Sequence, residues 1–184
     1  MALLIEFNNF EDGEKILEDD LSVLSKYYTT WRLKPSPEKT EISVFHLNNR
    51  LANATPKVKV NEVELEYNPN PKYLGKHLDR TLSYKFHLTK IASKVRTRNN
   101  IIQKLLGSNW GASAETLRIS ALALVLPVAE YCCSARIDSC HSKLIDFQLT
   151  NTMRIITGKL KATKTVWLPV LCNIAPPVLR RRII

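Results

Sequence analysis

Near Asp79 the apolar rhythm of this 184-residue chain changes, and that change limits what the chain can fold into. Before it, one helical stretch is followed by short runs of period two. After it, apolar residues recur at steps of three and four to the C-terminus. From Phe10 to Trp31, Leu17, Leu21, Leu24 and Tyr28 step by four, three and four, while Glu11, Asp12 and Glu14 occupy the first turn, where the helix dipole favours anions. These residues predict an amphipathic helix, stopped by Pro35 and Pro37. Glu41 to His46 alternates as a strand, Val58 to Val60 and Val63 to Glu66 read as a hairpin turning at Asn61-Glu62, and Tyr73 to Leu78 reads as a further short strand. Met1 to Ile5 is an apolar run that reads as a strand but is too brief for periodicity to decide. The expectation is an α+β chain: residues 1–80 mixed, with a helix and short antiparallel strands, and residues 81–184 a helical bundle.

In the second part Leu88, Ile91, Ala92, Val95, Ile102 and Leu106 form one apolar stripe, and Lys90, Lys94 and Arg98 step by four along another face. A second helix is expected from Ser113 to Leu126, ended by Pro127. A third should run from Ser139 or Cys140 to Ile156, with Ile145, Leu149, Met153 and Ile156 inward and Gly158 as its stop. Trp167 to Leu171 and Pro176-Pro177 introduce a short final segment, and there is no internal repeat or low-complexity tract.

The net charge of +10 is unevenly placed: residues 1–69 hold 8 Lys+Arg against 12 Asp+Glu, and residues 70–184 hold 19 against 5. A basic block of that kind faces a polyanion or forms a solvated helical surface, and nucleic acid is the commonest polyanion inside a cell. No stretch approaches the roughly 18 uninterrupted apolar residues of a membrane span, and Met1 to Ile5 lacks the length and positive flank of a signal peptide. The expectation is an intracellular protein without a membrane partner, its nuclear or cytoplasmic placement and oligomeric state undecided. Cys132, Cys133, Cys140 and Cys172 form no C-x-x-C pair and precede no His-x-x-x-His, so they read as buried free thiols and not as a zinc site.

One succession of motifs points further. Trp31-Arg32-Leu33 leads into Pro35-Ser36-Pro37-Glu38-Lys39-Thr40-Glu41, then a strand, His46-Leu47-Asn48-Asn49-Arg50, a hairpin, Tyr73-Leu74-Gly75, and basic helices carrying Arg98-Asn99-Asn100. In order and spacing this resembles, over almost the whole chain, the region just after the catalytic x-Asp-Asp loop in reverse transcriptases of non-LTR retrotransposons, particularly jockey-like elements. The resemblance implies that residues 1–80 are part of a polymerase palm and that residues 81–184 are a helical thumb and the start of a following segment. It assigns Lys39 to the palm lysine near the incoming nucleotide's phosphates, where an ammonium could donate a proton to departing pyrophosphate. The family commonly carries Asn where Ser36 stands. Tyr73, Leu74 and Gly75 match the primer grip, whose hairpin presses on the primer 3′ end, and Lys90, Lys94 and Arg98 fall where the thumb holds template-primer duplex by its phosphates. Ordinary strand core remains the alternative for Tyr73 and Leu74, and a solvated face for the cations.

Nucleotidyl transfer in this family needs aspartates that hold two Mg²⁺ ions. The resemblance places them before Met1, so this chain is expected to hold no metal and to be inactive by itself. Asp19-Asp20 do not replace them: adjacent residues on a helix point about 100° apart, which makes this pair an exposed acidic face. Asp79 has no companions to coordinate around. Three functions stay open: a reverse-transcriptase fragment inert in isolation, a non-enzymatic module binding an RNA-DNA duplex, and a helical protein-interaction domain.

Overall fold

A computed structural model describes residues 2–48, 50–60, 63–107 and 111–183, without the side chains of Pro37 and Ala52. The chain is mixed helix and short strand, an α+β arrangement in two units, Met1–Leu82 and Ser83–Ile184.

In the first unit, α1 (Phe10–Thr30) follows the expected period and carries Glu11 and Asp12 in its first turn. Its apolar stripe is only half covered: Leu17 and Leu21 pack on a small core of Ile42, Val58 and Leu65, with Val60 and Tyr67 alongside. Phe7 lies over Gly13, where a Cβ would come within 2.7 Å of the ring. That contact takes the place of the strand expected at the N-terminus, since residues 2–7 pair with no neighbour among the described residues. Asp19 and Asp20 are exposed.

Among the described residues the strands form three separate pairs. β2 (Lys59–Val60) and β3 (Val63–Glu64) make the expected antiparallel hairpin, in register Lys59 to Glu64 and Val60 to Val63; its turn, Asn61-Glu62, lies outside the described residues. The strand expected from Glu41 to His46 is reduced to β1 (Glu41–Ile42), and it pairs parallel, not antiparallel, with β4 (Glu66–Tyr67). Side-chain bonds account for the change: Asn68 donates its amide to Glu41 at 2.8 Å and Ser43 Oγ donates to Asn68 O at 2.7 Å, while the His46 N–H leaves for Arg80 O at 2.8 Å. The single strand expected from Tyr73 to Leu78 is instead a hairpin of β5 (Lys72–Tyr73) and β6 (Lys76–His77), because Leu74 and Gly75 both have positive φ.

The second unit is all helix, built on α2 (Lys85–Lys104), α3 (Ala114–Leu124), α4 (Leu126–Glu130), α5 (Lys143–Thr157), α6 (Leu168–Cys172) and α7 (Pro177–Ile183). Leu88, Ile91, Val95 and Ile102 of α2 enter one core with Leu117, Ala121, Val125, Ile145, Leu149, Met153, Ile156 and Leu168. Ala92 is half-buried, and Leu106 lies past the helix end and exposed, so the stripe stops one turn earlier than expected. Ser113 caps α3 by accepting from the Thr116 N–H at 3.2 Å, and Gly158 ends α5 at φ 62°. Pro127 begins a helix where it was expected to end one: it sits in the first turn of α4, where its missing N–H leaves no hydrogen bond unmade. Two thiols, Cys133 and Cys172, are buried as expected, but Cys132 is half-buried and Cys140 is exposed. Burial pushes the Cys172 thiol pKa up.

One polar knot runs through this core. Asn99 of α2 donates to Gln148 O at 3.0 Å and accepts from Thr152 Oγ1 at 2.7 Å, fixing the register of α2 on α5. No helix among the described residues is long and apolar enough to cross a membrane.

The two cores differ greatly in extent, and exchange should follow. Amides of Leu88, Val95, Leu117 and Leu149 should be the last to exchange with deuterium in the native protein, and those from Val58 to Tyr67 should exchange earlier. Slower exchange at Val58 to Tyr67 than in α2 and α5 would contradict this packing.

Candidate nucleic-acid interface

Lys39 closes a single 3₁₀ turn, Pro37–Lys39, with its side chain exposed. Its N–H donates to Ser36 O at 3.1 Å, and Thr40 Oγ1 donates to the same carbonyl at 3.0 Å. The turn therefore closes on the backbone of Ser36. No hydrogen bond or ion pair among the described residues joins Lys39 to the Tyr73 hairpin.

The tip of that hairpin is exposed. Lys72 faces His77 and Tyr73 faces Lys76 across the pair, and Leu78 N–H donates to Pro71 O at 3.0 Å to close its base. Tyr73 is 49% exposed and Leu74 71%, so neither is strand core. Leu74 holds φ 46°, a left-handed conformation that costs a side-chain-bearing residue about 1–2 kcal/mol. A two-residue turn with positive φ at both positions favours Asn-Gly, and here an apolar side chain is displayed against that preference. Lys72, exposed, and Lys76, half-buried, flank the tip.

α2 carries six cations, Lys85, Lys90, Lys94, Arg96, Arg98 and Lys104, and no acidic residue. Lys90 and Lys94 are exposed, with the Lys90 ammonium 4.4 Å above the Phe86 ring. Arg98 differs, since it is half-buried and its guanidinium donates to Leu124 O, one of the carbonyls that the end of α3 leaves without a helical partner. It therefore ties α2 to α3 with one nitrogen and keeps its other donors. Asn99, from the same Arg98-Asn99-Asn100 run, is wholly occupied inside the bundle.

Five further arginines of the unit also bond within the fold, whereas Arg96 and Arg182 are exposed. Arg118 donates to Asn173 O at 3.3 Å, Arg136 to Ala129 O, and Arg154 to Leu160 O and Thr163 O, while Arg180 and Arg181 pair with Glu130 and Asp146. Burial lowers the Arg136 pKa, and the Glu130 partner raises that of Arg180. Of the unit's four carboxylates, Glu115, Glu130 and Asp146 are each committed to an arginine, which leaves Asp138. Every lysine of the unit is exposed.

No group of three or more His, Cys, Asp or Glu among the described residues could hold a metal ion. The residues present therefore do not fit the paired Mg²⁺ ions of a polymerase centre.

Replacing Leu74 by Asn should relieve the turn and raise the unfolding free energy of the first unit by about 1 kcal/mol, read from the denaturant midpoint. An unchanged or lower midpoint would contradict the strained turn.

Two curated proteins are similar to this chain. In an alignment 184 positions long that covers 92% of the chain and 45% of the relative, it is 20% identical to the "Retrovirus-related Pol polyprotein from type-1 retrotransposable element R1 2" of Nasonia vitripennis. Over 131 residues, 71% of the chain and 14% of the relative, it is 30% identical to the "Probable RNA-directed DNA polymerase from transposon BS" of Drosophila melanogaster. The chain thus spans less than half the length of each. No family model matches it, and no solved structure matches it. The chain is thus similar to part of two retrotransposon proteins, one named a Pol polyprotein and the other a probable RNA-directed DNA polymerase.

Proposed function

We propose that the chain is the template-primer-holding part of a non-LTR retrotransposon reverse transcriptase, with residues 1–80 from the palm and 81–184 from the thumb. In this reading the Tyr73-Leu74-Gly75 tip meets the primer end, Lys39 lies toward the incoming phosphates, and Lys90, Lys94 and Arg98 hold RNA-DNA duplex by its backbone. The observation that carries it is α2: six cations on an acid-free helix whose opposite face is core, with Lys90 and Lys94 turned to solvent. Ammonium groups on flexible stems act as point charges, which suits binding to phosphates without reading bases. In this reading the chain holds template-primer and is expected not to polymerise by itself, since the motifs it resembles do not include the family's Mg²⁺-holding aspartates.

Fluorescence anisotropy on a blunt RNA-DNA duplex tests this. If Lys90, Lys94 and Arg98 neutralise three phosphates, log affinity should fall against log salt with a slope of about −2 to −3, from an affinity near the non-specific range of about 10⁻⁴ to 10⁻⁶ M. Lys90→Gln with Lys94→Gln should flatten the slope by about 2 and cost no more stability than the exposed Lys90–Phe86 contact, about 0.5–1 kcal/mol. Arg98→Gln should flatten it by about 1 and also destabilise the bundle. With template-primer, dNTPs and Mg²⁺ the chain should extend nothing above a blank. A folded protein that binds duplex without salt dependence, or not at all, would instead favour a helical protein-interaction domain.

A further inference from the structure

After Asp146 the chain contains no acidic residue, yet Arg154, Lys159, Lys161, Lys164, Arg180, Arg181 and Arg182 follow. Arg154, Arg180 and Arg181 are used inside the fold. The three lysines are not, and all are exposed on the segment joining α5 to α6.

That segment is built and not slack. Gly158 turns it out of α5 at φ 62°. Arg154 Nη1 then donates to Leu160 O at 3.4 Å and to Thr163 O at 3.3 Å, and the Thr163 N–H closes on Leu160 O at 3.1 Å. The Trp167 N–H donates to Lys164 O at 3.3 Å, in a 3₁₀ turn over Thr165–Trp167. Leu168, the next residue, is fully buried, and it anchors the turn so that the Trp167 indole stands 60% exposed. Three ammonium groups thus share a fixed loop with a displayed aromatic face and no carboxylate.

We propose that this loop, Lys159 to Trp167, is a contact for single-stranded nucleic acid, in which Lys159, Lys161 and Lys164 take backbone phosphates and Trp167 stacks on a base. An unpaired strand offers both the charge and the exposed base faces that the loop complements, whereas a duplex keeps its bases stacked inside. Exposed Leu160, Val166, Val170 and Leu171 beside the lysines make an anionic membrane the rival occupant, but α6 is only five residues long and gives them no extended amphipathic helix to lie on a bilayer, which favours the strand. The proposal rests on the nucleic-acid reading above but uses other residues and another ligand.

The test uses the full chain with Trp31→Phe and Trp110→Phe, which leaves Trp167 as the lone indole, and a labelled oligothymidine of about 15 nucleotides. Binding should quench Trp167 fluorescence. Trp167→Ala should weaken binding about tenfold, and the triple variant Lys159→Gln, Lys161→Gln, Lys164→Gln should flatten the salt slope by about 2, with circular dichroism unchanged in both. Affinity for blunt RNA-DNA duplex should be unaltered in these variants. Unchanged oligothymidine binding in both variants overturns the proposal, as does an equal loss on the duplex. Binding to phosphatidylserine vesicles that oligothymidine does not displace assigns the loop to a membrane and overturns it too. If wild-type protein binds duplex but not oligothymidine, the loop proposal fails and the α2 reading stands; the opposite result keeps the loop and sinks the α2 reading.

Discussion

Guanidinium groups reaching backbone carbonyls hold the helical unit in its shape. Every helix C-terminus leaves up to four carbonyls without intrahelical partners, and a unit that includes two five-residue helices, α4 and α6, has many such ends for its size. Arg98 serves the end of α3, Arg136 the end of α4, Arg118 the residue just past α6, and Arg154 the loop after α5. Arg180 and Arg181 then bind α7 to α4 and α5 through Glu130 and Asp146. A planar fork with five donors suits this work better than an ammonium does.

Because six of the unit's arginines, Arg98, Arg118, Arg136, Arg154, Arg180 and Arg181, bond within the fold and take up most of the carboxylates, the lysines are left outside with few carboxylates to neutralise them. The positive surface is therefore made mainly of lysines, with exposed Arg96 and Arg182 beside them, and is spread over α2 and the loop after α5. A charge set of this kind attracts a phosphate backbone with little regard to sequence. The first unit contributes something different: a hairpin that displays Tyr73 and Leu74 between lysines, at a cost in backbone conformation.

The sequence made some of this legible and hid the rest for physical reasons. α1 and α5 were readable because long apolar periods and a terminal Gly158 are local signals. The hairpin at Leu74-Gly75 read as a strand because a leucine stood where turn chemistry favours Asn or Gly; only the family resemblance implied a turn there. The parallel pairing of Glu41–Ile42 with Glu66–Tyr67 depends on Asn68, which no local rule connects to residue 41. Arg98 looked like one more surface cation because its partner, Leu124 O, lies 26 residues downstream. Pro127 misled in the other direction, since proline stops a helix from inside but is accommodated in its first turn.

The central claim is that the exposed lysines of α2 and the two lysines of the Tyr73 hairpin, Lys72 exposed and Lys76 half-buried, and not lysines in general, meet the nucleic-acid backbone. A lysine-reactivity footprint tests it directly: brief acetylation of the protein with and without a blunt RNA-DNA duplex, read by mass spectrometry at each site. Lys72, Lys76, Lys90 and Lys94 should lose reactivity when duplex is present, while the exposed Lys15 and Lys26 on α1 should keep theirs. Equal loss at all of these positions, or none at Lys90 and Lys94, would contradict the account.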